Sequence, residues 1–326
     1  MIDLPLSVLE VAVVQAGTQP VDTLVQTAPF AQGVERLGYR RLWYAEHHSS
    51  PAIGAFPPVV LIAHAAASTS TLRLGSGGVL APNHVPLGLA EQFGTLAALY
   101  SGRIDLGVGR GPGTFDAATA RALRRGGEPA TDAEYQDDVA AILTFLTDNV
   151  ATEPLPEPWL LASSTAGASL AARLGLPVAV AHHIRPHNTP SVLECYRSAF
   201  TPSRWCEKPQ VLVCVETICA DSEQEAERLA GPMNVIKAGL LQGTAEIPFP
   251  TPGEAATHRF TPQEQQALAA FRAHQAYGTP EVVARRLGQL AAMTGADELM
   301  LTTPVHALRD RLRSFELVKE RVGTVG

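Results

Sequence analysis

The sequence predicts a single-domain (β/α)₈ TIM barrel spanning residues 1–326, with an insertion after the seventh strand. Three observations predict it. Eight short β-rich runs alternate with longer helical patterns from end to end. Most of these runs are continuously apolar, as parallel strands must be when both faces are covered. Polar and glycine residues gather at the C-terminal end of run after run, where such barrels carry their function. A doubly wound open sheet is the structural alternative.

The strand candidates are residues 6–14, 41–45, 72–79, 103–108, 159–163, 178–181, 210–219 and 298–302. Helical patterns fill the gaps over 21–37, 59–68, 87–100, 132–146, 166–174, 191–200, 263–277, 280–294 and 305–319. Several end at glycine turns (Leu37-Gly38, Leu174-Gly175, Gly295) that lead directly into the next strand. Two stretches break the alternation. Residues 114–132 are polar and rich in Gly and Arg, and residues 231–262 hold five prolines (Pro232, Pro248, Pro250, Pro252, Pro262), a density that excludes a simple crossover helix. Long segments at strand ends are where barrels place lids and substrate loops.

Composition narrows the function classes. With 46% hydrophobic and 17% charged residues the chain can fill a large core. A net charge of −7 argues against a nucleic-acid or anionic-membrane surface. The arginine groups Arg36-Arg40-Arg41, Arg121-Arg124-Arg125 and Arg309-Arg311-Arg313 sit among acidic or polar neighbours and read as solvated faces. Cys195, Cys206, Cys214 and Cys219 lack CxxC spacing and read as free thiols in a reducing compartment. The N-terminus has no basic region and carries Asp3 and Glu10, and no apolar run approaches membrane-spanning length, so a cytoplasmic protein is expected.

The candidate chemistry lies at the strand ends. The second strand ends in Glu46-His47-His48-Ser49, the third in Gly75-Ser76-Gly77-Gly78, the fourth in Gly107-Val108-Gly109-Arg110-Gly111-Pro112-Gly113, the fifth in Ser163-Ser164-Thr165 and the sixth in His182-His183. The glycine turn does not match GxGxxG in any frame, so a Rossmann fingerprint is absent. What remains is Arg110 on a tight turn, suited either to a phosphate or to capping a carbonyl. Ser163 and Ser164 precede an Ala-rich helix, a place for an anion or for a plain N-cap. His47 and His48 are adjacent, so on a strand they face opposite ways, which disfavours a shared metal and leaves an acid/base or hydrogen-bonding role for one of them. Glu10 and Glu91 are expected to pair with buried arginines. No GxSxG elbow supports a serine hydrolase.

The order of these motifs resembles the bacterial luciferase-like flavin monooxygenase family from Leu6 to about Pro304. It is carried by Leu37-Gly38-Tyr39, Trp43-Tyr44-Ala45-Glu46-His47-His48, Leu74-Gly75-Ser76-Gly77-Gly78-Val79 with Pro82, and Ala90-Glu91-Gln92. Ser101-Gly102-Arg103, Gly107-Val108-Gly109-Arg110-Gly111, Ala162-Ser163-Ser164 and Leu174-Gly175-Leu176-Pro177 continue it. The resemblance implies a barrel binding FMN, whose reduced form reacts with dioxygen as a co-substrate. It implies Arg110, Ser163 and Ser164 as the phosphate cradle, Gly77-Gly78 as a cis peptide beneath the flavin ring, and His47 as the catalytic histidine. The expected partners are a flavin reductase, a small organic substrate and a second copy of the chain in a homodimer. Gly109 stands where the luciferase alpha chain has a thiol, and His182 where it has an aromatic residue, which speaks against aldehyde oxidation and light emission. Deazaflavin (F420)-dependent hydride transfer on the same barrel, or flavin binding without catalysis, are the alternatives. His182, His183 and residues 231–262 are candidates for the substrate wall and lid.

Overall fold

The computed structural model describes residues 4–54, 56–124, 127–150, 153–243 and 247–322. Its strands, in chain order, are β1 (Leu6–Glu10), β2 (Arg41–Tyr44), β3 (Arg73–Ser76), β4 (Val79–Leu80), β5 (Ile104–Gly109), β6 (Glu157–Ala162), β7 (Val178–Val180), β8 (Val211–Cys219), β9 (Ala276–Gly278) and β10 (Glu298–Thr302). Eight of them pair in parallel in the order β1-β2-β3-β5-β6-β7-β8-β10, and β10 pairs back with β1, closing the barrel. The short β4 continues the third strand's edge against β5, and β9 adds to the far end of β8. Among the described residues no helix is long and apolar enough to cross a membrane.

Strand periodicity divides the interior into two cores. Outward residues such as Val8, Leu42, Leu74, Leu106, Leu160, Val178, Val213 and Leu301 meet the surrounding helices in one large apolar layer. Inward residues Leu9, Trp43, Trp159, Ala179, Leu212, Cys214 and Met300 fill the middle of the barrel, with the two indoles edge to face at 5.6 Å.

One turn below the indoles the same inward rows become charged. Arg41, fully buried, donates to Asp105 (2.8 Å) and Glu298 (2.9 Å) and stacks over Trp159 at 4.9 Å. Arg73 bridges Asp105 and Glu157, Ser7 donates to Glu298, and Trp43 Nε1 donates to Asp105 at 2.8 Å. The N-terminal end of the barrel is therefore plugged by ion pairs, and the open end is the C-terminal one.

The structure changes several element boundaries. The first strand ends at Glu10 rather than at residue 14, because Ala12 takes φ 56° and donates its N–H to the Glu10 carboxylate at 2.6 Å. The expected helix 21–37 is two, Pro20–Leu24 and Thr27–Arg36, and residues 114–132 contain a short helix, Ala117–Leu123. The helix expected over 263–277 stops at Arg272, and its last residues form β9.

The proline-rich stretch begins inside a helix, Glu223–Leu241, which runs through Pro232. That proline removes one helical N–H, but Leu229, Ala230, Val235 and Ile236 bury the helix face on both sides of it, and packing outweighs the lost bond. Residues 244–246 of that stretch, and Arg125 of the second arginine group, lie outside the described residues. The four cysteines are free thiols, and Glu10 pairs with Arg311 at 3.1 Å. Glu91 is on an exposed face with no ion pair among the described residues, so its expected arginine partner is not found.

A buried charge left without its partner is costly. Arg41→Ala is expected to destabilise the fold by about 3–5 kcal/mol, read as a lowered urea midpoint with an unchanged slope.

Candidate functional site

The six residues singled out in sequence follow four consecutive barrel strands: His47 after β2, Gly77 and Gly78 after β3, Arg110 after β5, and Ser163 and Ser164 after β6. They occupy one contiguous arc of the C-terminal mouth. Inward parity carries from Trp43 through Ala45 to His47, from Leu161 to Ser163, and from Ala179 through Ala181 to His183.

The two adjacent histidines have different surroundings. His48 Nε2 contacts the Glu46 carboxylate at 2.8 Å, and its backbone N–H donates to Gly113. Glu46 also accepts from His84 Nε2 at 3.0 Å and from the Leu80 N–H at 2.9 Å. Because an ionised carboxylate only accepts, both imidazoles carry their proton on Nε2. Burial pushes the Glu46 carboxyl up, but hydrogen bonds from His48 and His84 outweigh it and hold the group at about 2. Glu46 thus ties its own loop to the segment that follows β3, and the His48 backbone ties that loop to the one after β5. The opposite side chain, His47, has its Nδ1 buried with no hydrogen-bond partner. Burial, reinforced by nearby His48, lowers His47 to about 4, so it is neutral at pH 7.

The Gly77–Gly78 peptide is cis. Here the glycines answer to the barrel. A Cβ on Gly77 would lie 2.6 Å from Leu9 Cδ1, and one on Gly78 would lie 2.7 Å from the Gly107 carbonyl oxygen. The lack of side chains lets β3 approach its neighbours, in addition to any room it makes above. Gly113, at φ 71°, is likewise required, since a Cβ there would meet Leu80 at 2.6 Å.

Arg110 leaves the barrel: its guanidinium is 49% exposed, paired with Asp132 (63% exposed) and donating to the Ala130 carbonyl. An exposed pair of this kind holds weakly, so the arginine can exchange Asp132 for another anion. Ser164 is the N-cap of helix Thr165–Leu174, its Oγ accepting from the Gly167 N–H at 3.5 Å. The Ser163 carbonyl accepts from Asn188. The free N–H groups of the helix's first turn and the Arg110 guanidinium follow adjacent strands, an arrangement suited to one phosphate.

Three elements of the mouth were not assigned from sequence. His84 closes the Glu46 network. Glu216 follows Leu212 and Cys214 on the inward face of β8, a spacing of two that marks it in retrospect. Lys237 is a single cation inside the apolar run Val235-Ile236-Lys237-Ala238. The insertion that carries Lys237 is seated over one side of the mouth. Met233, Ile236 and Phe249 pack with Val13 and Ala52, and Ala16 donates to Phe249 at 2.7 Å. His182, expected in the substrate wall, is buried and bonded to Thr189 at 2.9 Å, with His274 from the insertion 5.8 Å away.

Stability should depend on pH through these groups. Burial lowers His47, His182 and His183 from an ordinary 6.5 to about 4, so each binds its proton less tightly folded than unfolded. Their contribution is complete above about 6.5 and is lost as pH falls towards 4. Glu46, lowered from 4.5 to about 2, adds a second loss below pH 4.5. Melting temperature measured from pH 8 to 3 is expected to be level above 6.5 and to fall in both windows. His183→Asn should shrink the upper fall only.

The whole chain can be placed among known proteins. A family model described as luciferase-like monooxygenase matches residues 7–298. A "Luciferase-like monooxygenase" of Escherichia coli K12 is 39% identical over 324 residues, covering 96% of each chain. The oxygenase component of a "Flavin-dependent trigonelline monooxygenase" from Acinetobacter baylyi is 26% identical over 303 residues, covering 82% of this chain and 83% of its own. The crystal structure of apo-MsnO8 superposes with a TM-score of 0.90 at 36% identity, covering 98% of both chains. With its closed barrel and its matched motifs, the chain belongs to the luciferase-like monooxygenase family.

Proposed function

We propose that the chain is the oxygenase of an FMN-dependent monooxygenase, taking reduced FMN from a separate flavin reductase and acting with dioxygen on a small organic substrate. The observation that carries this reading is His47. It is a neutral imidazole at the mouth, with a buried nitrogen that has no partner within the chain. A buried polar atom left unpaired costs about 1–3 kcal/mol, and a bound cofactor or substrate would satisfy it.

Arg110 and Ser163–Ser164 would hold the phosphate, the arginine releasing Asp132 to do so. Gly77–Gly78 would lie beneath the ring, with His47 beside it. When bound, reduced FMN supplies the electrons that activate dioxygen. His47 gives or takes a proton at its free nitrogen, and the network around Glu46 keeps the neighbouring loops rigid while it does so. The insertion packed on Val13 and Ala52 limits water entry from one side. The family's range, in which a relative is described as an oxygenase component, supports a separate reductase. A homodimer belongs to the same proposal.

Two substitutions test it. Arg110→Ala is expected to weaken FMN by about 10- to 100-fold and to leave riboflavin binding unchanged, both measured by flavin fluorescence quenching. Equal loss for the two ligands would remove the phosphate assignment. His47→Ala is expected to keep FMN affinity near wild type but slow product formation by about 10²–10⁴, with hydrogen peroxide released instead. Full turnover without oxygen would favour deazaflavin hydride transfer.

A further inference from the structure

The insertion meets the barrel through a buried polar cluster that the reading above does not use. Glu216, inward on β8, accepts from Lys237 Nζ at both carboxylate oxygens (2.7 and 2.8 Å), from Gln275 (3.2 Å) and from the Tyr277 hydroxyl. Lys237 comes from the middle of the insertion helix, and its side chain is only 10% exposed. A lysine ammonium has three hydrogens. Glu216 takes two of its directions, and no other hydrogen-bond acceptor is found for it among the described residues. The Phe271 ring lies 5.6 Å away, near the outer limit of a cation–π contact.

A second ion pair flanks this cluster. Arg272, half-buried, lies 4.4 Å over the Tyr277 ring. Its carboxylate partner, Glu227, is 63% exposed, so water screens that negative charge. Lys237 and Arg272 both act on the Glu216 carboxylate, Arg272 from its own pair with Glu227 at the surface. Lys237 also acts electrostatically on His183, whose ring shares the inward face with His47, and His183 in turn feels His47. Glu216 lies on the inward face of β8, the face that leads to the mouth.

Resting on the mouth being the active site, we propose that Lys237 is a specificity-determining residue that selects substrates bearing a carboxylate or a comparable anionic oxygen. Glu216 holds the ammonium in place, Tyr277 and Gln275 hold Glu216, and the uncommitted N–H of Lys237 meets the substrate anion. His183, neutral and on the inward side of the mouth, supplies a second polar contact. The uncommitted N–H of the Lys237 ammonium makes an anion the ligand that completes the cluster, and a cation the one it repels.

The test uses the full chain, with and without FMN, and three probes of one size: hexanoate, hexan-1-ol and hexylamine. Binding is followed by titration calorimetry. Hexanoate should bind wild type more tightly than hexan-1-ol by about 10- to 100-fold, the scale of one charge-assisted hydrogen bond. Hexylamine should bind least well.

Lys237→Met should abolish the preference for hexanoate. Glu216→Gln should sharpen it, because the internal carboxylate no longer competes for the ammonium. A purely structural ion pair predicts instead that both variants lower the melting temperature and neither changes probe preference. Equal binding of the three probes to wild type, no hexanoate binding, or an unchanged preference in Lys237→Met would each overturn the proposal. So would a loss of FMN affinity in Lys237→Met that spares riboflavin, which would make Lys237 a phosphate ligand. Failure of wild type to bind FMN would count against the flavin reading instead, since the probes can be titrated into the flavin-free protein.

Discussion

Arg41 occupies the axis of the barrel, and the surrounding strands take their positions from it. Its guanidinium reaches Asp105 on β5 and Glu298 on β10, and its plane stacks on Trp159 of β6. Strands from three sides of the barrel are thus joined through one side chain that water does not reach. Because a planar guanidinium offers five donors in a fixed fork, it can satisfy two carboxylates and an aromatic face at once, which an ammonium could not do. Asp105 and Glu298 raise the affinity of Arg41 for its proton against the opposing effect of burial, so the guanidinium stays charged within the core. An apolar plug of the same volume would cost less desolvation. The ion pairs instead tie β2 to β5 and β10, strands that are not its hydrogen-bonded neighbours.

That plug has a consequence for the other end. Ions, then indoles, then small and polar residues follow each other up the barrel axis, so the layers below the mouth are filled. Above them the inward rows carry the smaller residues Ser163, Ala181 and Thr302, while Gly77 and Gly107 let neighbouring strands approach closely. The rim is then stiffened by hydrogen bonds among strand-end loops. Glu46 gathers His48, His84 and the Leu80 N–H, and Gly113 accepts from His48. A rigid rim beside the unsatisfied His47 imidazole is an economical arrangement for positioning a reactant, because the loops lose little entropy on binding.

The insertion contributes chemistry as well as cover. It reaches the barrel at two places: an apolar contact with the ends of β1 and β2, and the polar cluster at β8. The first excludes water and the second sets local charge. Long proline-bearing segments between barrel elements tolerate change in length and sequence without disturbing the core, so the residues that touch substrate can vary while Arg41 and the indole layer remain.

The sequence by itself determined the barrel, its eight strands and the placing of the candidate residues on one arc. These are written in local patterns: apolar runs such as 178–181 and 298–302, glycine stops after helices, and polar residues at successive strand ends. His47, Gly77, Gly78, Arg110, Ser163 and Ser164 were legible for the same reason, since each lies within a few residues of a strand end, and strand order alone brings them to one arc.

What only the tertiary structure decided are the pairings between distant positions. Arg41 and Glu298 are 257 residues apart, and nothing near either one indicates the other. Helix Glu223–Leu241 continues through Pro232 because burial of its face outweighs local propensity. Lys237 looks like a misplaced charge until β8 supplies Glu216. Local patterns encode which face of an element is buried. The partner of a buried charge depends on closure of the barrel, and closure is a property of the whole chain.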